Sequence, residues 1–218
     1  MNMKVLVIGG TTEGRLAASV LDEAGQPFIY STLTGMQHVD TLHGTMISGG
    51  LRPEDIPDIA PALIVDAAHP FAVEAHRMAV EGGAAARIPV VRFDRIAVPK
   101  DSRVVYCDSY DEAVRAMEAD GVKRLLALSG VRTIGKLKRW WTSHPDTYFR
   151  ILDRDESRQE AEASGFSSSR LCYYKGSEAD TPDLLESLSP DAIITKESGH
   201  SGGFESKLQA ALDCGVRV

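Results

Sequence analysis

Met3-Lys4-Val5-Leu6-Val7-Ile8 runs into Gly9-Gly10-Thr11-Thr12-Glu13-Gly14-Arg15 and then into Leu16-Ala17-Ala18-Ser19-Val20-Leu21. The apolar run is a buried strand, the glycine cluster a turn, and the resumed apolar stretch a helix. Strand, glycine turn and helix is the arrangement of a nucleotide-binding α/β unit, in which the helix start offers backbone N–H groups to an anion. The spacing is Gly-Gly-x-x-x-Gly rather than Gly-x-Gly-x-x-Gly, so these residues also suit an ordinary tight turn.

The alternation continues outward from this stretch. Further strands are expected near 27–31, 45–48, 62–66 and 88–93, with helices near 13–24, 53–59 and 71–85. Asp94 to Ser102, with Pro99, has the composition of a linker. The pattern then restarts, with strands near 104–106, 124–128, 147–152, 171–174, 191–195 and 216–218. Helices are expected near 111–119, 131–141, 156–163, 181–188 and 203–213. Such alternation predicts an α/β chain of two Rossmann-like domains, 1–98 and 99–218, with mostly parallel sheets and an interdomain cleft for a ligand.

A second anion grip stands near the other end. Ala192-Ile193-Ile194 is a buried strand; Thr195-Lys196-Glu197-Ser198-Gly199-His200-Ser201-Gly202-Gly203 is a glycine-broken loop, and a helix follows through Lys207. The glycines let N–H groups converge, the hydroxyls and lysines add donors and charge, and the helix start adds its positive end. A third loop, Asp66-Ala67-Ala68-His69-Pro70-Phe71-Ala72, follows the strand Leu63-Ile64-Val65. Ligands of open α/β sheets gather beyond the carboxyl ends of strands, so these three loops are expected to converge. Asp66 and His69 suit an acid/base pair, and equally a carboxylate that holds a loop and a histidine at a helix entry. Leu128-Ser129-Gly130-Val131-Arg132 is another strand-to-helix turn. Trp140-Trp141 suits packing or a surface lid, while Lys136, Lys138 and Arg139 suit a solvated helix face.

Composition removes several classes. The 218 residues are 43% hydrophobic and 25% charged, with a net charge of −7, and the pI is about 5.4. An acidic chain disfavours nucleic acid and anionic membranes as partners, and requires any anion site to gather its cations locally. No apolar run approaches the roughly 20 residues that span a bilayer. The first one is short and enters a glycine turn at once, which predicts no leader peptide. Cys107, Cys172 and Cys214 are odd in number and far apart, as expected of reduced thiols in a cytoplasmic protein. No metal-ligand spacing is present, so no metal is expected. The sequence also lacks a Gly-x-Ser-x-Gly elbow, a Gly-x-x-x-x-Gly-Lys-Ser/Thr phosphate loop and a Tyr-x-x-x-Lys pair. At the end of the second strand, Ser31-Thr32 stand where a carboxylate would bind a ribose 2′-hydroxyl, which leans a dinucleotide toward NADPH, with NADH possible.

The ordered set Gly9-Gly10-Thr11-Thr12-Glu13-Gly14-Arg15, Asp66-Ala67-Ala68-His69-Pro70-Phe71-Ala72 and Thr195 to Gly203, with Lys207 and Ala210-Ala211, resembles the precorrin-6A reductase family of cobalamin biosynthesis. The resemblance covers essentially the whole chain. It departs in three places: Ala68 stands where the family has Thr, Tyr174-Lys175-Gly176-Ser177-Glu178 lacks the expected Gly-Pro-Phe, and the last strand at Val216-Arg217-Val218 is expected to be short. It implies two Rossmann-like domains and reduction of the C18=C19 double bond of precorrin-6A or cobalt-precorrin-6A, a polycarboxylate tetrapyrrole, by NADPH or NADH.

Both grips suit phosphate and carboxylate alike. Gly9, Gly10, Thr11, Thr12, Gly14 and Arg15 are assigned to the dinucleotide. Asp66, Thr195, Ser198, Gly199, Ser201, Gly202, Gly203 and Lys207 are assigned to the macrocycle. His69 is the candidate proton donor or substrate orienter, with solvent as the other proton source, and Lys196 is the second catalytic candidate. A non-catalytic dinucleotide sensor and a transferase using a nucleotide-sugar or S-adenosylmethionine are the competing classes; the sensor does not account for the second grip or the His69 loop, and the transferase predicts binding of its own ligands and none of reduced nicotinamide.

Overall fold

β1 (Val5–Ile8) is apolar and buried at every position, as a strand covered on both faces must be. In the computed structural model, which describes residues 3–35, 37–95, 98–175, 178–199 and 203–218, the chain divides into two units, Met1–Ile96 and Ala97–Val218.

In the first unit, β1 leads through α1 (Thr12–Glu23) to β2 (Phe28–Thr32) and β3 (Gly44–Ser48). A 3-10 turn and the short α2 (Ile56–Ile59) return the chain to β4 (Leu63–Asp66), and α3 (Val73–Ala86) leads to β5 (Val90–Arg92). The sheet order is β3-β2-β1-β4-β5, with every pairing parallel. The period-two alternation sorts side chains to two faces. Leu6, Ile8 and Ile64 pack with Ile56, Met78 and Ala79. Val5 and Val7 pack with Phe28, Tyr30 and Ala18 of α1. Each Val, Leu, Ile, Met and Phe side chain among these contributes roughly 1.5–3 kcal/mol on burial.

The second unit carries α4 (Tyr110–Ala119), β6 (Leu125–Ala127), α5 (Thr133–Lys136) and α6 (Lys138–Ser143). These are followed by β7 (Thr147–Leu152), α7 (Asp155–Ala163), β8 (Leu171–Tyr174), α8 (Thr181–Leu188), β9 (Ala192–Ile194) and α9 (Phe204–Asp213). Its sheet runs β8-β7-β6-β9, again parallel throughout. Trp140 and Trp141 are core residues, 1% and 7% exposed, and their indole N–H groups donate to Thr147 Oγ1 at 3.1 Å and to the Ile134 carbonyl at 2.8 Å. Packing, not a lid, is their role.

Three expected elements differ. The helix expected over 131–141 is broken at Leu137 into α5 and α6. No strand forms at Val104-Val105-Tyr106: Val105 N–H donates to the Val218 carbonyl, but Tyr106 is taken by the preceding turn, its hydroxyl accepting from Asp101 N–H and its ring lying under Lys100. The last strand is reduced to a single bridge between Arg217 and Ala192.

Candidate functional site

Each sheet reverses its direction of growth once. In the first unit the reversal lies between β1 and β4, and in the second between β6 and β9. At such a point the loops beyond two neighbouring strands diverge and leave room for a ligand. The loops of interest fall at these two places in pairs: Gly9–Arg15 with Asp66–Ala72, and Leu128–Arg132 with Thr195–Gly199.

In the first unit the two loops are bonded together. Ala67 N–H donates to the Ile8 carbonyl at 3.0 Å, and Thr11 Oγ1 donates to the Ala67 carbonyl at 2.7 Å. The same hydroxyl caps α1 by accepting from Gly14 N–H at 2.9 Å. Tyr30, fully buried, lies in the crook of the glycine turn. Its hydroxyl accepts from Gly10 N–H at 3.1 Å and donates to Gln37 Oε1, and burial raises the phenol above its ordinary pKa. A Cβ on Gly9 would collide with the Tyr30 ring, and one on Gly14 would come within 2.8 Å of its hydroxyl. These two glycines therefore answer to Tyr30. Gly10 is different, with φ +94° and nothing within 4 Å of an added Cβ, which leaves an open approach to the start of α1. Arg15 is exposed there and donates to Thr12 Oγ1 at 3.4 Å. An open turn, a helix N-terminus and an exposed guanidinium fit the pyrophosphate of a dinucleotide. Behind them Glu13 and Arg95 form an ion pair of 2.9 Å with both side chains under a tenth exposed.

Asp66, 3% exposed, takes a partner that sequence reading did not assign. Its Oδ1 accepts from Ala68 N–H at 3.2 Å, and its Oδ2 lies 2.7 Å from His76 Nδ1. His69 instead accepts from Phe71 N–H through Nδ1 at 3.3 Å, which places its own proton on Nε2. A signal for His76 was available: as the fourth residue of α3 it leans toward the helix N-terminus, back over the loop that carries His69.

In the second unit, Leu128 N–H donates to the Ile194 carbonyl at 2.8 Å, so the Ser129 turn and the Thr195 loop leave the sheet side by side. Ser129 and Thr133 hydroxyls are bonded at 2.9 Å. Lys196 is partly buried; burial, then the charges of Lys136, Arg132 and Lys207, lower its ammonium below the usual lysine pKa. Arg132 and Lys136, which sequence reading left to a turn and a solvated face, thus belong to a basic cluster in an acidic chain. Lys136 also lies over the Tyr110 ring, 5.1 Å from its centroid. Thr195 Oγ1 is buried and has no hydrogen-bond partner among the described residues, while Ser198 and Gly199 are buried. Ser201 and Gly202 lie outside the described residues.

Lys207 faces inward. Its ammonium lies 3.3 Å from Glu178, with 9% of the side chain exposed; burial lowers its pKa, and Glu178 opposes that shift. Glu178 also pairs with Arg150, whose side chain is 2% exposed, and accepts from Thr181 Oγ1 at 3.1 Å. Gly203, with φ +69°, makes room for this carboxylate, since an added Cβ would stand 2.9 Å from Glu178 Cγ. The loop that departs from the expected Gly-Pro-Phe thus supplies the counter-charge for a buried lysine. Among the described residues, no group of His, Cys, Asp and Glu is placed to hold a metal, and no helix is long and apolar enough to cross a membrane.

Comparison with known proteins identifies relatives of this arrangement. A family model described as "Precorrin-6x reductase CbiJ/CobK" matches residues 4–218. The cobalt-precorrin-6A reductase of Methanothermobacter thermautotrophicus is 30% identical, over 99% of this chain and 75% of its own length. That of Methanocaldococcus jannaschii is 27% identical, over 99% and 88%. The solved structure titled "CobK precorrin-6A reductase" superposes with a TM-score of 0.77 at 22% identity, covering 99% of this chain and 86% of that one, and shares the fold.

Proposed function

The chain belongs to the precorrin-6x reductase CbiJ/CobK family, and from that premise we propose that it reduces cobalt-precorrin-6A, or its cobalt-free counterpart, in cobalamin biosynthesis. The observation that carries this reading is the match to cobalt-precorrin-6A reductases across nearly the whole chain. The reaction adds two hydrogens across the C18=C19 bond. A reduced nicotinamide, when bound, supplies one of them as hydride.

The chain's residues divide the remaining work. The open turn at Gly10, with Thr11, Thr12, Arg15 and the start of α1, takes the dinucleotide pyrophosphate; Gly9 and Gly14 keep that turn seated on Tyr30. NADPH is the proposed donor, since Ser31 and Thr32 end β2 without a carboxylate that would repel a 2′-phosphate. Lys196, with Arg132 and Lys136, holds carboxylates of the macrocycle, and the Thr195 hydroxyl, which has no hydrogen-bond partner among the described residues, and the Ser198-Gly199 backbone complete that grip. His69 carries its proton on Nε2, the nitrogen suited to orient the macrocycle or protonate it. Asp66 serves by holding the loop. Lys207 is assigned a supporting role behind the grip, because Glu178 occupies its ammonium.

The test is oxidation of NADPH and of NADH by the purified protein, with cobalt-precorrin-6A and with precorrin-6A as acceptor. Oxidation that depends on the macrocycle, fastest with NADPH and the cobalt form, is expected. Folded protein that binds neither macrocycle, or that oxidises neither nucleotide in its presence, refutes the proposal.

A further inference from the structure

His76 lies between the end of β4 and the loop that carries His69. One ring nitrogen, Nδ1, is 2.7 Å from Asp66 Oδ2. The other, Nε2, is 3.1 Å from the His69 carbonyl and 3.3 Å from the Pro70 carbonyl. Carboxylate and carbonyl oxygens only accept, so a ring N–H of His76 has an acceptor within reach on either side. The far end of this bridge is fixed. Asp66 pairs in register with Ile8 of β1, its carbonyl accepts from Phe93 N–H at 2.9 Å, and it is buried. The near end moves only with the loop, since the His69 carbonyl also accepts from Ala72 N–H at 2.7 Å.

We propose that His76 is a positioning residue that fastens the backbone of His69 and Pro70 to the buried Asp66 and so sets where the His69 ring is presented. The imidazole spans the loop as a rigid strut with a ring nitrogen at hydrogen-bond distance from an oxygen at each end. Because the His69 ring is itself turned by the Phe71 N–H, fixing the backbone at residues 69 and 70 fixes the ring. A displacement of about 1 Å at a reacting group lowers turnover by up to about 100-fold, so the strut acts on kcat and leaves nucleotide affinity alone. This inference rests on the reductase reading for its link to turnover, while the loop geometry stands apart from it.

Two substitutions separate the ends of the strut. In His76→Asn the amide nitrogen stands near the position of Nδ1, so the bond to Asp66 survives and the loop is released. In His76→Gln the amide nitrogen stands near the position of Nε2, so the loop stays fastened and Asp66 loses its partner. If His76 only neutralised a buried carboxylate, kcat and thermal stability would fall together, and more in Gln than in Asn. The positioning role requires a crossed result. Asn is the more stable variant, and its kcat falls about 10-fold or more, with the KM for nucleotide within about twofold of wild type. Gln is the less stable variant and keeps the higher kcat. Amide exchange at Phe71 and Ala72 reads the loop without turnover, and should be faster in Asn than in Gln. Wild-type protein inactive toward both macrocycles would refute the function and leave the strut to be judged by that exchange. Parallel loss of kcat and stability, equal exchange in the two variants, or unfolding of both overturns the proposal.

Discussion

Gly9→Ala should damage the first unit through Tyr30, not through a ligand. The added Cβ would meet Tyr30 Cζ and Oη in hard overlap and Cε2 at 2.5 Å, where carbon atoms ordinarily sit about 3.5–4.0 Å apart. Relief requires a shift of about 1 Å in a ring that is fully buried among Val5, Val7, Ala18 and Phe28. Overpacking of this kind costs about 1–3 kcal/mol. The shift also pulls the hydroxyl from Gly10 N–H and Gln37, at about 1 kcal/mol net for each bond. The sum is about 3–5 kcal/mol. For a unit of about 100 residues, 1 kcal/mol moves the midpoint by about 4–8 °C, so the first unit's transition should fall by about 12 °C or more. Scanning calorimetry without nucleotide measures it. On a Tyr30→Val background the same substitution should cost at least about 1 kcal/mol less, because contacting residues couple. Gly10→Ala supplies the contrast: it meets no atom and should cost only the strain of a positive φ, about 1–3 kcal/mol. Refutation would be a Gly9→Ala protein with a wild-type midpoint that has lost only nicotinamide binding, for then the glycine answers to the cofactor.

Other consequences concern the second unit. Thr195→Val replaces a hydroxyl that has no partner among the described residues, so denaturant titration should show stability unchanged or raised by up to about 1 kcal/mol; macrocycle affinity, if the hydroxyl completes the grip, should weaken about fivefold. Destabilisation beyond about 1 kcal/mol would mean that the hydroxyl is already satisfied. Lys196→Met should raise the KM for the macrocycle about 10-fold or more with little change in kcat. Because burial and neighbouring cations lower the Lys196 pKa, the ammonium is lost as pH rises through a value below the usual 10.5. Macrocycle affinity should therefore decline with pH earlier than an ordinary lysine would allow, and that limb should vanish in Lys196→Met; a limb that persists would assign it elsewhere. Glu178→Gln leaves the buried Arg150 and Lys207 without their shared carboxylate and should destabilise the second unit by about 3 kcal/mol, seen as a lower urea midpoint for that unit alone.

The parts of this molecule that were legible in the sequence are those written in local pattern. Short apolar runs, glycine turns and amphipathic helices recur in alternation along most of the chain, broken where β2 passes to β3 without a helix among the described residues, and a parallel sheet follows because parallel neighbours need a crossover. What escaped is pairing across distance. Nothing near Lys207 in sequence marks it as the partner of Glu178, and nothing near Asp66 marks His76 as its partner except the lean of α3's first turn. Residues that look alike in a motif therefore divide by what the fold sets against them. Lys196 is half-buried with the charges of Lys136, Arg132 and Lys207 lowering its pKa, whereas Lys207 is set against the Glu178 carboxylate. The same division runs through the glycines: Gly9 is demanded by a tyrosine ring and Gly10 by an open turn. A motif match carries both kinds of residue together: Gly9 and Lys207 are held against the protein's own side chains, while Gly10 opens on space that a ligand can fill.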